Sequence, residues 1–379
     1  MAGLLSYPTP HPTPLVDDDP ADWLRLIRSR RVGAVTFHRL IAEHGLAAAA
    51  LLALPDIARG AGVEGYAVCP IEVVRHEMAA ARVAGAVLLR FGYDGYPASL
   101  MEVADAPPIL WAQGDISLLQ RPMVAMVGAR NASSLGLRMA RKLAETLGQA
   151  GQVVVSGLAR GVDAAAHEAA LATGTVAVQA GGVDVIYPTE NAGLAVRILE
   201  QGCRLSEQPM GLEPQARHFP VRNRIVAGLS RAVVVVEAAA KSGSLITARD
   251  AADLGRDVMA VPGHPFDARA AGCNMLIRDG ATLVRGASDV LEAMGMARVA
   301  EPPVVLRPLP GPVPATRPLA DMANLHGLIL ARLGPSPLAE DQLIRDLAMP
   351  SASVTAELVT LELEGRISRQ AGGLLARID

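Results

Sequence analysis

VVVVEAAAKSGSLITA, residues 233–248, decides how the rest of the chain is read. Four valines followed by Glu237 make a continuous apolar run, the pattern of a strand covered on both sheet faces. Beyond it stand Lys241, Ser242, Gly243 and Ser244, then the apolar opening of a helix. A buried strand, a glycine and hydroxyl turn and a helix in succession point to strand–helix–strand units and a parallel sheet. The lysine is conspicuous, because Lys142 is the only other one in 379 residues.

The same rhythm extends on both sides. Further strands are predicted at AVLL (86–89), ILWA (109–112), MVAMVG (123–128), QVVVSG (152–157), TVAVQAGG (175–182) and DVMAVPG (257–263), with AVVVVE at 232–237. Between them, Leu137, Ala140, Ala144 and Leu147 share one face of a helix over 134–149. The predicted fold class is α/β, with an extended Rossmann-like, doubly wound parallel sheet over residues 86–295. Small helices broken by glycine make residues 21–85 a SAM-like or helix-hairpin-helix domain, behind a flexible tail at 1–20. Residues 296–320 hold EPPVVLRPLPGPVPATRP, too rich in proline for helix or central strand, and read as an extended linker. Residues 321–379 offer three helices and a hairpin turning at Gly372-Gly373, the outline of a winged helix.

Composition narrows the function. Hydrophobic residues make up 51% and charged ones 19%, which suits a packed protein, and no apolar run reaches the length of a membrane helix. The proline- and aspartate-containing N-terminus does not read as a signal peptide, so a cytoplasmic protein is expected. Cys69, Cys203 and Cys273 are too scattered for a metal or a disulfide framework, and the eight histidines form no ligand spacing. No metal and no cofactor are expected.

Ligands of such a sheet bind beyond the carboxyl ends of the strands. Those ends carry Gly128 and Arg130 before Ser133 and Ser134; Ser156, Gly157, Arg160 and Gly161; Gly181 and Gly182; and Lys241 with Ser242, Gly243 and Ser244. Helix N-termini, bare glycine backbone, hydroxyls and cations together suit phosphate. Each turn alone reads as a cap and each arginine as a solvated charge; Arg130 together with Lys241 reads as a site. A dinucleotide fingerprint is missing, since the second strand closes on Ser156 rather than an acid, and AAAKSGS is no Walker loop. Glu207 and Glu237 read as structural at least as well as catalytic, so no catalytic residue is assigned. RHFPVRNRIVAGLSR (217–231) adds Arg217, Arg222, Arg224 and Arg231, a basic patch in a chain of net charge −3. Arg222 is predicted to face the surface, while Arg224 is left open between the surface and an ion pair. Aromatic residues are only 3%, and Phe219 is the one within the patch. The lysine loop is therefore read as gripping the backbone phosphates of a nucleic acid.

VGAR (127–130), SGLARGVDAAAHEAAL (156–171), GGVDVIYPTEN (181–191), SEQP (206–209), FPVRNRIVAGLS (219–230), the opening stretch and GCNMLIRDGATLV (272–284) follow one another in an order that resembles the DNA-processing protein A (DprA/Smf) family. The resemblance implies single-stranded DNA binding by the Rossmann-like domain and homodimerisation through that domain. It also implies loading of RecA recombinase onto incoming DNA in natural transformation, with no catalytic activity. Carried over by position, it implies roles for Arg130, Arg222, Arg224 and Lys241. With the adjoining Gly128, Ser156, Gly157, Arg160, Ser242, Gly243 and Ser244, these are the predicted strand-binding residues. Ala129 stands where the family usually has serine, and Leu135 where it usually has tyrosine. The terminal domain's SASVTAELVTLELEG carries Glu357, Glu362 and Glu364 and no base, which argues for a protein-contact or self-association module over insertion in a DNA groove. The alternative is a nucleotide-binding or nucleotide monophosphate-cleaving enzyme of the related LOG type, whose P-G-G-x-G-T signature is absent here.

Overall fold

A computed structural model describes residues 18–296, 320–334, 336–370 and 373–378. The tail and most of the proline-rich segment, with Gly372 of the hairpin turn, lie outside these residues. Four helices open the fold: α1 (Pro20–Arg28), α2 (Ala34–His44), α3 (Ala47–Gly60) and α4 (Ile71–Val83). Asp19 caps α1 by accepting from the Ala21 amide at 2.8 Å, with Pro20 as its first residue. The buried Asp18 carboxylate takes the Trp23 indole N–H at 3.0 Å and the Ala47 amide at 2.6 Å, tying α1 to the start of α3. This helical unit is not independent: Trp23, Leu24, Phe37 and Leu40 share one apolar core with the sheet.

The sheet has nine strands: β1 (Val87–Arg90), β2 (Ile109–Gly114), β3 (Met123–Val127), β4 (Val153–Ser156), β5 (Thr175–Val178), β6 (Cys203–Ser206), β7 (Ala232–Val235), β8 (Asp257–Ala260) and β9 (Thr282–Leu283). Their order is β1-β2-β6-β5-β4-β3-β7-β8-β9. A short α5 (Ala98–Met101) precedes β2, and α6 (Ser134–Gln149), α7 (Val162–Ala170), α8 (Ala192–Gln201), α9 (His218–Leu229), α10 (Ser244–Asp253), α11 (Ala271–Arg278) and α12 (Ala287–Ala293) cover the faces.

Two features differ from the sequence expectation. The sheet is not parallel throughout, because β2 runs antiparallel to both β1 and β6. Strands β6 and β9 were not anticipated, for physical reasons. In β6 the run is broken by Arg204, which is buried and hydrogen-bonded to Gln113 of β2, and β9 is a two-residue exposed edge. The predicted helix face holds: Leu137, Ala140, Ala144 and Leu147 are buried with Leu143 against Val124 and Met126. On the opposite face Ala125, Val127, Val233 and Val235 meet Ile225, Val226 and Leu229 of α9. Among the described residues no single helix is long and apolar enough to cross a membrane.

The order of the strands reverses at β3. Strand β4 lies on one side of it and β7 on the other, so the loops leaving β3 and β7 diverge and open a crevice. The carboxyl-terminal winged helix comprises α13 (Ala320–Arg332), α14 (Glu340–Leu347) and α15 (Ser351–Leu363) with β10 (Leu338–Ala339), β11 (Ile367–Gln370) and β12 (Leu374–Arg377). Its core of Ile329, Leu343, Val354, Leu358 and Leu375 also receives Leu135 from α6, so the domain is seated on the sheet unit.

Leu143 is fully buried between α6 and β3. Leu143→Ala is expected to lower unfolding free energy by about 2–5 kcal/mol through the cavity it leaves, read from urea denaturation.

Candidate nucleic-acid interface

Most anion-ready features seen in the sequence are consumed by the chain's own groups. Ser133 caps α6, its hydroxyl accepting from the Gly136 amide at 3.0 Å. The Glu237 carboxylate, at the end of the β7 run, takes the Ser133 amide at 2.9 Å and the Ser133 hydroxyl at 2.5 Å. A carboxylate thus occupies the positive end of α6, where a dinucleotide's pyrophosphate would otherwise sit. The fit is close: a Cβ on Gly136 would lie 2.4 Å from the Glu237 carboxyl carbon. Ser133 and Ser134, expected to help hold phosphate, are buried instead.

The β4 loop is closed in the same way. Ser156 is fully buried and donates to the Met126 carbonyl at 2.6 Å, so its hydroxyl is turned away from any ligand. The amides of Gly157 and Ala159 donate to Asp163 at 3.1 and 3.4 Å. The Leu158 amide donates to His167 Nε2 at 3.3 Å. Because the Thr175 hydroxyl donates to the Val154 carbonyl at 2.7 Å, it accepts from His167 Nδ1, also at 2.7 Å. That network requires a neutral ring with its proton on Nδ1. Burial, helped by the nearby Arg222 charge, lowers the His167 pKa to about 3.

Arg222 corrects the sequence reading. Expected at the surface, it is only 7% exposed and its Nη1 donates to the Val178 carbonyl at 2.7 Å. The reason is helical spacing: His218, Arg222, Ile225, Val226 and Leu229 form the buried stripe of α9. A Cβ on Gly157 would fall 1.9 Å from that guanidinium nitrogen, so the glycine makes room for the arginine and not for a ligand. Burial pushes the Arg222 pKa down, against the charge of Asp163. Arg224, left open by sequence, pairs with Glu207 at 2.6 Å and Asp105 at 3.4 Å. Arg160 meets Glu190 at 3.4 Å in the open, an ion pair of little worth. Gly181 and Gly182 pack under the 209–214 segment, a Gly181 Cβ lying 2.5 Å from the Leu212 carbonyl oxygen.

What remains is narrow and well defined. Arg130 and Lys241 are both exposed and line one open cleft of about 940 Å³ at the crevice between the β3 and β7 loops. Among the described residues, neither has a carboxylate partner. Gly128 also lines the cleft and is pressed against Val162, to which an added Cβ would come within 2.6 Å. Ser242 and Ser244 share a hydroxyl contact of 2.7 Å at the start of α10. Between them, a Cβ added to Gly243 would meet nothing within 4 Å, so its backbone is open to a close approach. The Arg130 guanidinium lies 5.4 Å from the Phe219 ring centre, and Phe219 is 5.7 Å from Tyr187. These three line a side pocket of about 280 Å³. Tyr187, Asn223 and Arg269 also border the cleft but were not singled out from sequence. The only signal for Tyr187 was an aromatic residue inside the GGVDVIYPTEN loop.

A family model described as DNA recombination-mediator protein A matches residues 88–295, more than half of the chain. The chain belongs to this family. A DprA-like N-terminal HHH domain matches residues 17–80, and a DprA winged helix domain residues 313–373. Protein Smf of Synechocystis is 36% identical over 304 residues, covering 73% of this chain and 76% of that protein. DNA processing protein DprA of Streptococcus pneumoniae is 47% identical over 200 residues, 52% of this chain and 71% of the relative. The X-ray structure of the S. pneumoniae protein superposes with a TM-score of 0.61 at 35% identity, over 73% of this chain and 98% of that one. DNA processing protein A from Helicobacter pylori, described for its single-stranded DNA binding mode, gives a TM-score of 0.51 at 31% identity, over 55% and 95%.

His167 yields a pH prediction. Its folded pKa lies below the unfolded value, so the unfolded chain binds the extra proton and stability drops as pH falls from the unfolded pKa towards about 3. Replacing it by Asn is expected to flatten the pH dependence of unfolding free energy between about pH 4 and 6 by up to ~1.4 kcal/mol per pH unit, followed by urea denaturation at each pH.

Proposed function

We propose that this protein is a non-enzymatic single-stranded DNA-binding mediator of recombination, gripping the strand's phosphates between Arg130 and Lys241. The observation that carries this reading is the contrast within the crevice. Arginines 222 and 224 and the amide cradles are engaged internally, while two cations from separate loops line one cleft with no carboxylate partner among the described residues. A flexible polyanion needs such spaced point contacts more than it needs an enclosed pocket. Phe219 and Tyr187 beside Arg130 add a stacking surface for a base turned out of the strand, a contact worth about 1–3 kcal/mol. The strand-binding set is therefore Arg130 and Lys241, supported by Gly128, Ser242, Gly243, Ser244 and Phe219. Ser156, Gly157, Arg222 and Arg224 shape the loops, and Arg160 lies at the margin.

The non-enzymatic reading is supported by the engagement of the acids. Glu237 spends both oxygens on Ser133, Asp163 accepts loop amides and Glu207 holds Arg224. A nucleotide-cleaving enzyme would need one such carboxylate free towards a ligand. The family supports the finer assignment: protection of incoming single strands, loading of RecA during natural transformation and homodimerisation through the Rossmann-like domain. RecA loading is measured by whether the protein speeds RecA-driven strand exchange on DNA coated with a single-strand binding protein. Size-exclusion light scattering reads the dimer.

Binding of a labelled dT oligonucleotide across salt concentrations tests the cleft. Arg130→Ala and Lys241→Ala are each expected to weaken binding by about 1–3 kcal/mol and to reduce the log–log salt slope by about 0.7. Phe219→Ala should weaken binding with the slope unchanged, since no phosphate contact is lost. Turnover of a nucleotide monophosphate with oligonucleotide binding unaffected by these changes would contradict the proposal.

A further inference from the structure

The two cations of the cleft stand on different loops, and both loops are fastened to the same helix end in the other domain. Arg332, the last residue of α13, donates from Nη1 to the Ala132 carbonyl at 2.8 Å. Ala132 is buried and lies two residues beyond Arg130. On the other side, Arg269 precedes α11 and is held by Asp267 through two contacts of 3.1 Å. It donates to the carbonyls of Ala331 at 2.7 Å and Leu333 at 3.1 Å, capping the negative end of α13. The backbone of Arg269 accepts from the Ala238 amide at 2.7 Å, and the Ala238 carbonyl accepts from Gly272 at 2.7 Å. Ala238 is three residues before Lys241. Gly334 permits the approach: a Cβ there would stand 2.9 Å from Asp267 Oδ2 and 3.0 Å from Arg269 Nη2.

The winged helix therefore reaches the Arg130 loop through Arg332 and the Lys241 loop through Arg269. Leu135, just inside α6, packs into its core, and Arg141 meets the buried Asp346 carboxylate of α14 at 3.9 Å. Arg332 does not line the strand cleft. It lines a separate cavity of about 700 Å³ between the two domains.

We propose that the winged helix sets the spacing of the strand-gripping cations, with Arg332 as a positioning residue that touches no DNA. The proposal rests on the strand cleft described above. Docking of the domain holds both loops in place, and strand binding in turn tightens the docking, because coupling between two equilibria is reciprocal. An acidic α15 then needs no groove to enter: the domain serves DNA binding from behind the loops.

The test uses the full chain and a labelled dT oligonucleotide. Arg332→Ala is expected to weaken binding about tenfold, within the range of ordinary coupling, while the salt slope stays at the wild-type value. Arg332→Lys, which still offers a donor to Ala132, should recover most of the loss. In the wild type, oligonucleotide should slow amide exchange in residues 324–333, a readout that needs no variant. Unchanged affinity in Arg332→Ala, a slope reduced by about 0.7 as for a direct phosphate contact, or no slowing of exchange would each overturn the proposal. If Lys241→Ala and Arg130→Ala also leave binding intact, the cleft itself is wrong; if they weaken it and Arg332→Ala does not, only the tie between domains fails.

Discussion

The carboxylate of Glu237 on the amino end of α6 is the constraint from which the character of this molecule follows. A doubly wound sheet places its best anion site at that helix end, and here the chain fills it with its own charge. Asp163 does the same for the amides of the β4 loop. Small phosphorylated ligands lose the enclosed cradles that would bind them. What remains for an outside anion is the outer lip of the crevice, with Arg130 on one side and Lys241 on the other. The proposed strand accordingly lies across the rim of a fold that elsewhere holds a nucleotide in depth.

Much of this architecture is legible in sequence because it rests on local patterns. Continuous valine runs mark the buried strands, the face of Leu137, Ala140, Ala144 and Leu147 marks α6, and the turn at Lys241 falls at a strand end, where ligands of such sheets gather. Strand β6 escaped because its buried Arg204 breaks the apolar pattern, and the Gln113 that it bonds is far away in sequence. The antiparallel course of β2 likewise depends on pairings that no local pattern carries.

At the site, charge alone misled. Arg222 looked like a surface contact because arginine usually is one, yet it stands four residues after His218 and three before Ile225, on the stripe of α9 that faces the sheet. Helical spacing would have found it. The plug at Glu237 had no such signal, since its partner Ser133 is 104 residues away. Long-range pairing, more than residue type, separates Arg130 and Lys241, which have no carboxylate partner among the described residues, from Arg222 and Arg224, which the framework engages.

The family to which the chain belongs and the two cations at the rim are the grounds for the proposed grip on the backbone of a single-stranded nucleic acid. A crystal structure of the protein with a short dT oligonucleotide tests that claim most directly. The account predicts phosphate oxygens within about 2.7–3.2 Å of both Lys241 Nζ and the Arg130 guanidinium, with the end of α6 still closed by Glu237. A strand that crosses another face of the molecule, or that displaces Glu237 to reach the helix end, would contradict it.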